Sequence, residues 1–381
     1  MTMSMRWSRR EFVQWAGFSS LSSAGLCSSL LPPARKGSSA RFAYVASSEG
    51  VEEGIHAYAI RRGRWEKLQR LESKRPVALV VASNRRFLYA VNEIDSHEGL
   101  PTGTVEAFAI EGDGRLRFVN RSPLALSATM PRHAAVAADG RSLVVAVHGG
   151  GAYNVLPIAE DGSVGRVSGI LKEVGVEHGA SSRRSQPVMV TFDQQGRAIS
   201  VDEGTGRLNV FSLDESGITA HARVELQEGC GATQVAMHPN GDKLYLMQGE
   251  TIACHGYDAT EGRVLGSTGH LPVRGAIEGH GAIAVHPSGR FLYASLKDGG
   301  IATWRLTARG DGAKSGPEAQ AMELRGLHGL EIAPDGKSLV GINRDHGGIQ
   351  RAEVDADTGR LRAAETVARL NSPSSLVMLY S

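Results

Sequence analysis

Ionisable and amide side chains stand at the ends of short apolar runs along the chain: Asn92 and Glu93, Arg132 and His133, His148, Arg183 and Arg184, Asp202, Glu250, Lys297, Asn343 and Arg344. A neutral imidazole can take a proton from water, and a guanidinium or ammonium can receive the negative charge that develops on a carbonyl oxygen. Brought together, such groups could support water attack on a small ester. Singly, each has a plainer role. Glu93 and Asp202 could accept backbone N–H groups in turns. His238 and His286 each precede a proline in repeated segments, and the repetition marks them as structural. The Gly149-Gly150-Gly151 run lacks the downstream Lys-Ser or Lys-Thr of a phosphate-binding loop and reads as a tight strand connection.

No Cys-x-x-Cys pair and no His-Glu-x-x-His run occurs, so neither a metal nor another cofactor is expected. Outside the N-terminal segment the cysteines are Cys230 and Cys254, for which a disulfide and two buried thiols are both compatible with the sequence. Lys and Arg (42) nearly balance Asp and Glu (40), and no basic run lies beyond the N-terminus, which excludes the footprint of a nucleic-acid or anionic-membrane binder. The expected partner is a small neutral or anionic molecule, held by a monomer.

The first 40 residues read as a leader and linker, and residues 41–381 as a single domain. Ser8-Arg9-Arg10-Glu11-Phe12-Val13 resembles a twin-arginine export signal, followed by a serine-rich, weakly apolar stretch to Leu31 and by small residues at Ser38 and Ala40. This predicts engagement of the twin-arginine export machinery and a periplasmic or extracellular domain. The alternative is a disordered or membrane-lying leader that happens to contain two adjacent arginines. Leu26 before Cys27 disfavours lipid anchoring, and the stretch is too short and polar for a membrane span.

The elements that position the polar residues come from an internal repeat. Segments such as AAVAADGRSLVVAVHG, VAMHPNGDKLYLMQGE and IAVHPSGRFLYASLKD recur with central turns at Arg85, Gly140, Gly196, Gly241, Gly289 and Gly336, spaced by roughly 45 to 56 residues. Asp139-Gly140, Asn240-Gly241, Ser288-Gly289 and Asp335-Gly336 suggest tight two-residue hairpins. Alternating third strands, as in Leu208 to Leu213 and Ile301 to Leu306, and turns such as Asp113-Gly114 lead to an outer strand, so one period equals one four-stranded blade. With 47 glycines, the composition favours many tight turns in an all-β protein. The predicted fold is a seven-bladed β-propeller, with a β-sandwich pair as the alternative. Arg41 to Ala46 and Gly54 to Ile60 lack an inner partner, and Pro373 to Tyr380 can supply it, which predicts closure by pairing the N- and C-terminal strands.

The phrases RFLYAVNE (Arg86 to Glu93), AVHGGGAYNV (Ala146 to Val155) and HPSGRFLYAS (His286 to Ser295), in this order of blades, resemble the lactonase-type propellers, which include bacterial 6-phosphogluconolactonases and fungal carboxymuconate cycloisomerases. The resemblance covers roughly Arg41 to the C-terminus. It implies a site at one end of the central channel and the opening or closing of a sugar or acid lactone. It also exposes departures. Pro187-Val188-Met189-Val190 stands where the family has a proline and alternating histidines, and Gly231-Ala232-Thr233-Gln234 where Gly-Pro-Arg-His is usual. Ala282 and Leu296-Lys297 replace an acidic residue and an Asn-Arg pair, and Val147-His148 replaces Asn-Tyr. By this resemblance Arg184 and Glu250, with His133 or His148 as base, form the expected catalytic set. Asn92, Glu93, Arg132, Asp202, Lys297, Asn343 and Arg344 are expected to bind the ligand. Three readings follow: an exported lactonase-type hydrolase, a non-catalytic ligand-binding propeller, and a protein-interaction platform.

Overall fold

The computed structural model describes residues 40–173, 176–178, 181–214, 217–226, 231–249, 251–272, 281–296, 300–307, 318–320, 327–344 and 346–380. The leader, Cys230, Glu250 and Lys297 lie outside the described residues, and with them the cleavage, disulfide and two of the site expectations. Strands among the described residues form seven antiparallel sheets of four and one two-stranded hairpin. The inner strands are Pro76–Val81, Pro131–Val136, Pro187–Phe192, Ala232–Met237, Ile283–Val285, Leu327–Ile332 and Pro373–Tyr380. Each packs on the inner strand of the next sheet, and the last returns to the first, so the sheets form a closed seven-bladed propeller. Blades are numbered 1 to 7 in the order of these inner strands.

Blade 7 closes the ring. Its inner strand, Pro373–Tyr380, pairs antiparallel with Ala40–Ser47, with Val45 opposite Leu376, and the latter strand pairs in turn with Gly54–Arg61. Sequence and structure agree here because an N-terminal segment with strand alternation but no inner partner would leave a bare edge.

The inner hairpins differ from the two-residue turns expected. In blade 2 the amide of Ala137 bonds to the carbonyl of Ser142 and that of Gly140 to the carbonyl of Ala137, which encloses a four-residue loop. A two-residue type I′ turn needs two positive φ angles. These loops need one, met by Gly140 at φ 71°, by Gly289 at 69°, and in blade 1 by Arg85 at 60°.

Blade faces are apolar, so the core is a set of layers between neighbouring blades. Tyr44, Tyr89, Tyr245 and Tyr293 stand at like positions of second strands, each fully buried. Aromatic rings also cap the outer turns of the next blade. A Cβ added to Gly114, Gly162 or Gly359 would lie within 2.4 Å of a ring atom of Phe42, Phe87 or Phe291 respectively, so these turns must be glycine to admit the ring. The two histidines read as structural latch blades together. His238 Nε2–H donates to the carbonyl of Gly289 (3.1 Å), and His286 Nε2–H to that of Gly336 (2.9 Å), each in the following blade.

Candidate functional site

One register irregularity recurs at the same end of the inner strands. In blade 1 Pro76 lies opposite Asn92 and Ala78 opposite Val91, leaving Val77 as an extra residue. Blades 2, 3, 4, 6 and 7 repeat the shift, with Arg132, Val188, Thr233, His328 and Ser374 as the extra residues. A bulged residue leaves the ladder and re-aims its side chain. Here it points to the axis. All six bulge residues line one cavity of about 280 Å³ at the channel mouth, small enough for a ligand of roughly one sugar ring.

A second tier comes from the residue that follows each second strand. Those strands end at Asn92, Val147, Asp202 and Asn343, and the next residues are Glu93, His148, Glu203 and Arg344. His148, Glu203 and Arg344 line the cavity. Glu93 is buried just behind it: its carboxylate holds Arg132 Nη1 at 2.8 Å and Arg75 Nη2 at 3.2 Å. The last strand residues turn back into their own blades. Asn92 donates to Ser73 Oγ (2.9 Å) and to the carbonyl of Lys74 (2.8 Å). Asp202 accepts from Ser185 Oγ (2.5 Å) and from the amides of Gln186 (2.9 Å) and Thr205 (3.0 Å). Asn343 Oδ1 accepts the amide of His346 at 2.8 Å.

The cavity therefore gathers four of the expected residues, Arg132, His133, His148 and Arg344, with Glu93 in support. It does not gather Asn92, Asp202 or Asn343, which organise turns, and Arg184 is exposed and does not line it. Glu203 and His328 line it without having been singled out from sequence. The signal for Glu203 was one position away: in Asn92-Glu93, Asp202-Glu203 and Asn343-Arg344 the first member is structural and the second is the one at or behind the mouth. Of the replaced family positions, His148, Val188, Thr233 and Gln234 line the cavity, whereas Val190 and Ala282 are buried between blades. The three glycines at 149–151 form the tight connection expected, because a Cβ on any of them would meet backbone of Thr129, Ser127 or Ser185 within 3 Å.

Electrostatics separate the two expected imidazoles. Burial pushes His133 down to about 4. His148 is half-buried; burial and then the Arg132 charge lower its pKa, opposed by the carboxylates of Glu203, Glu93 and Asp202. Both are neutral at pH 7. Among the described residues no cluster of three or more His, Cys, Asp or Glu could hold a metal ion.

The family model described as Lactonase, 7-bladed β-propeller, matches residues 42–378. The 6-phosphogluconolactonase of Erwinia tasmaniensis is 26% identical over 347 residues, spanning 88% of this chain and 97% of that protein. That of Pectobacterium carotovorum is 25% identical over 330 residues, spanning 84% and 92%. The solved periplasmic gluconolactonase of Pseudomonas aeruginosa has a TM-score of 0.76 at 20% identity and covers 90% of this chain and 99% of its own. A ring of seven blades, a mouth built from their bulged inner ends and a family match across the whole ring lead to one assignment: the chain belongs to the seven-bladed β-propeller lactonases.

Proposed function

We propose that the protein hydrolyses a small sugar lactone or related cyclic ester at the channel mouth, with His148 as general base. The observation that carries this reading is the convergence of a neutral imidazole, a carboxylate and two guanidinium groups (His148, Glu203, Arg132 and Arg344) on one small cavity. Water attacks the acyl carbon as its proton passes to His148, and Glu203 stabilises the imidazolium that forms. Arg132 and Arg344 offset the charge on the acyl oxygen. The bond from acyl carbon to ring oxygen then breaks, the proton returns to the departing alkoxide, and a hydroxy acid leaves. A panel of aldonolactones should show turnover above buffer that falls at least about 100-fold in His148→Ala and in Glu203→Gln. Spontaneous rates with all three proteins would remove the reading.

Arg9-Arg10 supports export of the folded chain, and the likeness of a periplasmic gluconolactonase in fold is compatible with it. Arg9→Lys/Arg10→Lys should leave the protein in the cytoplasm on cell fractionation; unchanged secretion would reject a twin-arginine route. A second reading, ligand binding without turnover, draws on Val77 and Val188, which make part of the wall apolar where acid–base groups could have stood.

A further inference from the structure

Arg344 borders two cavities. Besides the channel mouth it lines a second, more open depression of about 610 Å³ at the same end of the ring, on the seam between blades 6 and 7. Its walls come from Arg344, His346 and Gly347 after the second strand of blade 6, from Arg369 to Ser372 leading into the inner strand of blade 7, and from Glu52 in a turn of blade 7. Hydrogen bonds tie these connections together. The amide of Leu370 donates to the carbonyl of Gly347 (2.9 Å), that of Asn371 to Glu52 Oε2 (3.0 Å), and that of Ser48 to the carbonyl of Ser372 (3.1 Å). Gly347, at φ 62°, lies so close that a Cβ there would stand 2.9 Å from the carbonyl oxygen of Leu370. The depression is therefore formed by the fold itself, before any ligand enters.

Its donors are uncommitted. Among the described residues the exposed Arg369 guanidinium and His346 ring have no hydrogen-bond or ion-pair partner. Arg344 has a single one, Glu49 at 3.4 Å, and both of those side chains are exposed. Glu52 is the carboxylate among the lining residues, and it is already engaged by the Asn371 amide and by Lys67 Nζ at 3.8 Å. Two guanidinium groups and an imidazole in one preformed hollow favour an anion. Lactone hydrolysis makes one. The acyl carbon enters the mouth uncharged and leaves as a carboxylate, in a cavity that holds the Glu203 carboxylate and whose other guanidinium, Arg132, is bound by Glu93 at 2.8 Å. Arg344 is the less committed cation of the mouth, and Arg369 and His346 lie beyond it.

We propose that the seam depression is an anion-binding site that receives the carboxylate of the hydroxy-acid product by way of Arg344 and so draws the product out of the mouth. Ring opening lets the chain extend, so the carboxylate can cross to the seam while the hydroxyl end still occupies the mouth. The proposal rests on the lactonase reading for the origin of the acid, but the site can be tested without turnover.

In a first arm, sodium gluconate and glucitol, the same chain without the carboxylate, are titrated into full-length protein by calorimetry. Gluconate should bind more tightly than glucitol and lose that advantage in about 0.5 M NaCl. Arg369→Gln should weaken gluconate about 3- to 10-fold and leave glucitol unchanged. Glu52→Gln keeps an acceptor for the Asn371 amide but removes a repelling charge, so it should strengthen gluconate about 2- to 3-fold. Structural damage would weaken both ligands in both variants. That result, or a gluconate affinity indifferent to Arg369, would overturn the proposal. Inorganic phosphate bound at the seam as tightly as gluconate would make it a site for free anions and reject the product assignment. In a second arm, gluconate should inhibit hydrolysis of its δ-lactone, with an inhibition constant that rises in Arg369→Gln by the same factor as the dissociation constant; an unchanged constant would equally reject it. If no lactone is turned over, the lactonase reading fails alone, and the first arm still decides whether the seam holds a carboxylate.

Discussion

The two inter-blade latches should make the ring sensitive to acid, by an amount that follows from their geometry. His238 donates from Nε2 to Gly289 while its Nδ1 accepts the amide of Asn240 at 3.2 Å; His286 donates to Gly336 while its Nδ1 accepts the amide of Ser288 at 3.1 Å. A second ring proton has to go on Nδ1, which displaces the amide, although the Ser288 hydroxyl, 2.7 Å from Nδ1 of His286, can turn to accept it and the Asp242 carboxylate lies 3.8 Å from Nδ1 of His238. Each latch then loses the bond from its amide, a cost of about 1–2 kcal/mol before these compensations, or about 1–3 kcal/mol for both with them. Burial lowers both pKa values below the unfolded 6.5, so the unfolded chain takes up protons first as pH falls. Their contribution is therefore complete above about pH 6.5 and is lost as pH falls through that value toward the lower folded-state values. Urea unfolding at pH 8.0 and 5.0 should show the wild type losing about 1–3 kcal/mol more than a His238→Gln/His286→Gln protein, since glutamine does not titrate. Other buried histidines act equally in both proteins and cancel. Parallel pH dependences in the two would refute the latch.

Three further outcomes are expected. Gly359→Ala places a Cβ 2.4 Å from the Phe291 ring and should cost about 1–3 kcal/mol more than Gly196→Ala, which has a similar positive φ but open space around it; equal costs by urea titration would mean that the ring yields freely. Glu93→Gln removes the carboxylate that holds Arg132 and should lower kcat/KM about 10-fold or more with little change in unfolding midpoint, whereas unchanged kinetics would show that Arg132 keeps its position unaided. Burial pushes the Glu331 carboxyl up to about 8 from 4.5, although the Tyr380 hydroxyl donates to it from 3.3 Å. Its contribution to stability is therefore full below pH 4.5 and lost as pH rises toward 8. Glu331→Gln should accordingly flatten the fall in Tm between pH 6 and 9, and a decline equal to that of the wild type would count against a neutral buried carboxyl.

The ring was legible because its signal is repetitive. Turn residues at a steady period and alternating strands fix one blade, and six similar segments with an unpartnered pair at one terminus and a single strand at the other imply seven. The mouth was legible only in part. A polar pair such as Asp202-Glu203 announces the end of a strand, but which member faces the axis depends on the last ladder pair. Pro187 closes that pair with Asp202, which turns Asp202 inward to Ser185 and leaves Glu203 to the cavity. The bulges were invisible for a related reason. One residue extra in an apolar strand barely disturbs its pattern, so Val77 and His328 read as ordinary strand positions. Arg184 was drawn in by its nearness to Pro187 in sequence, yet it belongs to the exposed approach to that strand.

The seam in blade 7 has a consequence for how the chain acquires its shape. Val45 and Leu376, neighbours across that seam, lie in the first and last strands of the ring in chain order. Six sheets can assemble from local hairpins as they emerge, but the N-terminal three-stranded sheet must wait with one edge bare until the final strand arrives, since only that strand can satisfy it. Blade 7 is thus completed only after the other six blades have been made, and deleting its inner strand alone should leave an opened arc with two sticky edges instead of a slightly smaller circle.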